Sequence, residues 1–114
     1  MIHSSSIIDK NAKVSNLVKI GPFCYVGPEV ELSDGVELIS NVHLEGNTKI
    51  GKNSIYIEKG ARLNNCILNT NNGPIYIGKD AEIMEGSIIR GPFAMCENSV
   101  LKIVETAGRR IQYS

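Results

Sequence analysis

The stretch IGPFCYVGPEVE, residues 20–31, carries two aliphatic-Gly-Pro triplets six residues apart, Ile20-Gly21-Pro22 and Val26-Gly27-Pro28. Six is not a helical period, and a proline at every sixth position breaks a helix by removing amide donors. Counted in both directions from Ile20, aliphatic residues fall at Ile2, Ile8, Val14, Val26, Leu32, Leu38, Leu44 and Ile50. Four residues after each member of this series stands a small or β-branched one: Ser6, Ala12, Val18, Cys24, Val30, Val36, Val42, Thr48 and Ser54. Two inward columns are thus written into the chain. A hexad of this kind suits a short strand that turns, pairs with the next coil and turns again, which is the pattern of a hexapeptide-repeat parallel β-helix.

The remaining hexad positions fit the corners. Asn11, Asn41, Asn47 and Asn53 share the fourth position, where a tight corner favours a residue that tolerates the left-handed backbone region. Three hexads make one triangular coil, so residues 18 apart should stack on neighbouring rungs. Outward positions then fall into three ladders. Lys13, Glu31 and Lys49 form one, and Lys19 and Glu37 begin another, each opposite-charge pair contributing about 0.2–1 kcal/mol. Ile7, Tyr25 and His43 form the third. It is the least charged, and hence the expected meeting surface of another subunit.

The count slips by one after Ser54 and resumes at Ile57 and Leu63, with Ala61 and Ile67 in the small column. Asn69-Thr70-Asn71-Asn72-Gly73-Pro74 is a run of turn formers and predicts a loop bulging from one corner. The hexads then restart at Ile77, Ile83, Ile89, Met95 and Leu101, with Ala81, Ser87, Phe93 and Ser99 as partners. The sequence therefore predicts an all-β, single-stranded parallel β-helix of about five coils over residues 1–104. Residues 105–114 are read as an irregular tail or cap, with Ile111 and Tyr113 available to cover the last coil.

With a formal net charge of zero, no basic surface for nucleic acid is expected, and Arg109-Arg110 is the largest Lys/Arg cluster. Cys24, Cys66 and Cys96 lie far apart without a C-x-x-C motif, which favours free thiols in a reducing compartment. No signal-peptide pattern and no membrane-length apolar run is present, so membrane insertion is not expected.

Few residues carry chemistry. Gly46–Asn53 and Gly73–Asp80 both spell G-x-x-x-x-G-K, but each ends in Asn or Asp where a phosphate loop needs Ser or Thr, and each holds inward hexad residues. Glu82, Glu85, Arg90 and Glu97 read as solvated decoration of the distal coils. Two histidines fall short of the three imidazoles of a hydrated-zinc site, so no metal is expected, and no motif calls for a cofactor. Of the two, His3 lies in the first coil. His43 points outward from a strand, next to Glu45 and above Tyr25. It is the candidate catalytic residue, a general base of the type that acyl transfer to a hydroxyl requires; the plainer alternative is an interface or surface histidine.

The segments IHSSSIIDKNAKV, VKIGPFCYVGPEVEL, GVELISNVHLEG and NTKIGKN, within residues 2–53, resemble the opening coils of the UDP-N-acetylglucosamine O-acyltransferases of lipid A synthesis. The resemblance implies a left-handed winding, a homotrimer, a cytoplasmic location, active sites in clefts between subunits, and acyl transfer from an acyl carrier protein to a UDP-amino sugar. That family carries its catalytic histidine in later coils and adds a helical tail, whereas this chain has no histidine beyond His43. Residues 55–102 are instead similar to the C-terminal β-helix of sugar-phosphate nucleotidyltransferase-like proteins, without the nucleotide-binding domain that precedes it there. Two functions are therefore expected: a shortened acyltransferase-like protein, or a non-catalytic trimerising β-helix module.

Overall fold

The structure is a computed structural model and describes residues 1–46, 54–105 and 109–113. Its strands are short because every hexad spends most of its residues on a corner. In chain order they are β1 (Ile7–Ile8), β2 (Lys13–Val14), β3 (Lys19–Ile20), β4 (Tyr25–Val26), β5 (Val30–Leu32), β6 (Glu37–Leu38), β7 (His43–Glu45) and β8 (Ile55–Ile57). They continue as β9 (Arg62–Leu63), β10 (Ile67–Asn69), β11 (Ile75–Ile77), β12 (Glu82–Ile83), β13 (Ile88–Arg90), β14 (Phe93–Met95), β15 (Val100–Glu105) and β16 (Arg109–Tyr113).

Every third strand joins the same sheet. One face stacks β1-β4-β7-β10-β13, a second stacks β2-β5-β8-β11-β14, and a third stacks β3-β6-β9-β12-β15 with β16 at its edge. All pairings except β15–β16 are parallel. The expected all-β hexapeptide-repeat solenoid is thus observed, with five parallel strands on each face. No helix long and apolar enough to cross a membrane occurs among the described residues.

The aliphatic column fills the interior. Ile20, Leu38, Leu63, Ile83 and Leu101 stack on one face, Val26, Leu44, Leu68 and Ile89 on another, and Leu32, Ile57, Ile77 and Met95 on the third, all buried. Each such side chain stabilises the fold by about 1.5–3 kcal/mol relative to exposure. The first coil is the exception: Ile2 bridges to Ile20 yet remains 49% exposed, with no other strand partner among the described residues.

The corners repeat as well. Three residues beyond an inward aliphatic residue, the backbone takes positive φ at Phe23, Glu29, Gly35, Asn41, Gly60, Asp80, Gly86 and Asn98. Of the four asparagines predicted to sit in such corners, Asn41 does so, Asn11 does not, and Asn47 and Asn53 lie outside the described residues. Gly21 has a different reason to be glycine. A Cβ there would overlap the carbonyl oxygen of Ile39 on the neighbouring coil.

Past Gly46 the register departs from the simple count. Leu32 pairs with Ile57 and Val30 with Ile55, so the rung above Glu31 holds Tyr56, not Lys49. Ile50, Thr48 and Lys49 fall outside the described residues, and Ser54, expected inward, is exposed. Ile67 is also misplaced by the count: it is exposed, and Cys66 occupies the buried position. The cause is a corner one residue shorter, with the left-handed turn already at Asn65, two residues after Leu63.

The predicted loop at residues 69–74 is present as a corner between β10 and β11. Its extra length is anchored inward by Thr70, fully buried, whose amide and hydroxyl both donate to the carbonyl of Glu45. Within the segment read as tail or cap, Arg109–Tyr113 runs antiparallel to β15, so one face ends in a hairpin that pairs Ile103 with Ile111.

Candidate functional site

The candidate base His43 opens β7, where strand alternation turns Leu44 into the core and leaves His43 and Glu45 outside. Parallel pairing then fixes its neighbours. Tyr25 stands in register below it and Ile67 above it, with Ile7 below Tyr25 and Ile88 above Ile67. The expected column Ile7–Tyr25–His43 therefore extends over all five rungs of that face. Ile7, Ile67 and Ile88 are all exposed. Glu45, Asn69 and Arg90 form the parallel ladder beside it.

The imidazole packs against the phenol of Tyr25 with ring centroids 6.4 Å apart and planes tilted by 46°. A groove of about 300 Å³ runs past it, lined by Asn41, Asn65, Ile67, Ser87 and Ile88. The left-handed corners at Asn41 and Asn65 form its sides. Asn65 donates to Asn64 Oδ1 at 2.9 Å and to Ser40 Oγ at 3.4 Å, which fixes its amide. Among the described residues no carboxylate hydrogen-bonds to the His43 ring. The site therefore offers an accessible imidazole on an apolar ladder, with amide groups at the rim, and among the described residues no hydrogen-bond partner that selects its tautomer.

Cys66, whose neighbour Ile67 follows His43 in the ladder, points into the core. Burial pushes its thiol up to about 12, against a smaller lowering by the Asn64 backbone. It is no nucleophile at neutral pH.

The other residues weighed from the sequence are not assembled around His43. His3 lies in the first coil, its Nδ1 2.8 Å from Ser5 Oγ. The segment Gly73–Asp80 contains β11, whose Ile75 and Ile77 are core residues, so it is strand and not a phosphate loop; most of Gly46–Asn53 lies outside the described residues. Glu82 stands in register with Arg62 on the charged face, where the one ion pair among the described residues joins Arg62 to Glu37 at 3.4 Å. Sequence reasoning missed Ile67 and Ile88 as continuations of the His43 ladder. It also missed a tyrosine pair, Tyr56 and Tyr76, although the triplet Ile-Tyr-Ile occurs twice, at residues 55–57 and 75–77.

No protein-family model matches this chain, and no curated protein matches it. Among solved structures the chain is similar to the UDP-N-acetylglucosamine O-acyltransferase of Moraxella catarrhalis RH4, at 13% sequence identity and a TM-score of 0.39, over 97% of this chain and 73% of that one.

Proposed function

We propose that this chain is a self-associating, acyltransferase-like β-solenoid in which His43 works at a cleft between neighbouring copies. The observation that carries the reading is the outward ladder Ile7–Tyr25–His43–Ile67–Ile88, an apolar strip along the whole face with one imidazole at its centre. Apolar surface of this extent favours burial against another copy, and a homotrimer follows from the resemblance of residues 2–53. Covering the strip would remove water from around the imidazole and build the second wall that the shallow groove lacks.

In such a cleft His43 takes the proton of a sugar hydroxyl as the hydroxyl oxygen attacks the carbonyl of an acyl thioester. The new C–O bond forms, the C–S bond breaks, and the proton passes to the departing thiolate of the acyl carrier protein. The acceptor in this reading is a UDP-amino sugar and the setting is the cytoplasm. A second reading, a non-catalytic trimerising module, is favoured by one observation: among the described residues the His43 ring packs on Tyr25 but has no hydrogen-bond partner to poise it as a base.

Two measurements separate the readings. Sedimentation of the purified protein should give a trimer, and Ile67→Asp should dissociate it; a monomeric wild type overturns both. Acyl transfer from an acyl carrier thioester to UDP-N-acetylglucosamine should occur and be lost in His43→Ala. A trimer without turnover, or with turnover unchanged in that variant, leaves only the module.

A further inference from the structure

A different face of the prism carries an aromatic shelf. Tyr56 on β8 and Tyr76 on β11 are register partners, stacked with ring centroids 5.7 Å apart and planes 18° from parallel. Both phenols are tethered: Tyr76 donates to Glu58 Oε2 at 2.9 Å, and Tyr56 receives a hydrogen bond from Ser33 Oγ at 3.3 Å. The rings are held before any ligand arrives, which lowers the cost of ordering them.

On the next rung the register partner of Tyr76 is Ala94. The stack stops there, because a methyl group stands where a third ring would continue it. The space beside Ala94 is open as a groove of about 490 Å³, lined by Tyr56, Tyr76, Pro74, Pro92 and Phe93. Tyr76 is accordingly 41% exposed, whereas Tyr56 is half-buried. A second groove of about 520 Å³ shares Ser54 and Tyr56 with the first and continues down the face past Glu31, Glu29, Lys13 and Asn11. A largely apolar slot thus leads into a trough of hydrogen-bonding groups.

We propose that this face binds a neutral oligosaccharide. One pyranose ring lies with its C–H face on the free side of Tyr76, in the space left by Ala94, and further units extend toward Glu31 and Asn11. An electron-rich ring attracts the C–H face of a sugar. Carboxylates, an amide and an ammonium together accept from and donate to hydroxyl groups, which are both donors and acceptors. Charge argues against a nucleotide: among the described residues that line the trough Glu29 and Glu31 outnumber Lys13, and Glu58 stands at the Tyr76 hydroxyl, so phosphate would be repelled. The proposal stands apart from the His43 face and does not depend on its chemistry.

Calorimetric titration with maltotriose, cellotriose and adenosine monophosphate tests it. Binding of at least one trisaccharide is expected, weakened about tenfold or more in Tyr76→Ala and retained in Tyr76→Phe. Ala94→Tyr extends the stack into the slot and should abolish binding, while an unaltered circular dichroism spectrum and melting temperature show that the solenoid persists. The proposal is overturned if neither trisaccharide binds, if binding is equal in wild type and Ala94→Tyr, or if adenosine monophosphate alone binds.

Discussion

The imidazole of His43 stands one rung above the phenol of Tyr25, their ring centroids 6.4 Å apart, and this pair sits at the middle of an otherwise aliphatic strip. A charge placed on the strip should oppose its burial, whereas the same charge on the Lys19–Glu37 face should not. Ile88→Asp is therefore expected to shift the sedimentation coefficient to that of a monomer, and Lys19→Asp to leave it unchanged.

The three thiols should differ sharply in reactivity. Cys96 is exposed while Cys24 and Cys66 are buried, so an aromatic disulfide reagent should label one thiol rapidly in the native protein and all three in urea. Burial also raises the thiols of Cys24 and Cys66, the latter from 9.0 to about 12. Below 9.0 both the folded and unfolded chains hold these protons and nothing is lost. Between 9.0 and about 12 the unfolded chain releases the Cys66 proton and the folded chain does not, so stability falls as pH rises across that window. Urea midpoints measured through it should fall less steeply in Cys66→Ala.

The hydrogen bond from Tyr76 to Glu58 raises the phenol above the usual tyrosine range, because the carboxylate accepts from the neutral form and repels the phenolate. Alkaline titration followed by phenolate absorbance should place Tyr76 later than ordinary tyrosines. Glu58→Gln should bring it forward.

Phe23 occupies a left-handed corner with φ of 58° and is 63% exposed, so its ring pays backbone strain while burying little. The left-handed region costs most L-residues about 1–2 kcal/mol and asparagine less. Phe23→Asn, which copies the corner at Asn41, should raise stability by about 1 kcal/mol in urea denaturation.

Much of this architecture is legible in the sequence as far as Leu44, where each inward residue follows the last at a constant interval and the rungs at Ile20, Val26, Leu32 and Leu38 follow directly. Beyond Gly46 the reading loses register for a physical reason: corners absorb or shed residues at little cost, while strand alternation repeats every two residues. In Ile55-Tyr56-Ile57 both isoleucines face inward, so a count that anchors on Ile57 alone misses that Ile55 is core as well. At Cys66-Ile67 two apolar neighbours compete for one inward position, and the shortened corner at Asn65 decides in favour of the cysteine. His43 and the lower half of its ladder could be placed by spacing. Ile67, Ile88 and the Tyr56–Tyr76 stack could not, because they meet their neighbours only through registers that those corners reset.

The lengthened corner after Asn69 shows how much freedom a hexad frame leaves to its vertices. Leu68 and Ile77 keep their rungs across it, Thr70 fastens one side to Glu45, and Asn71 and Asn72 project into solvent. A foreign epitope spliced between those two asparagines would be displayed at the vertex without disturbing the stacked interior, which makes this prism a natural carrier for grafted peptides.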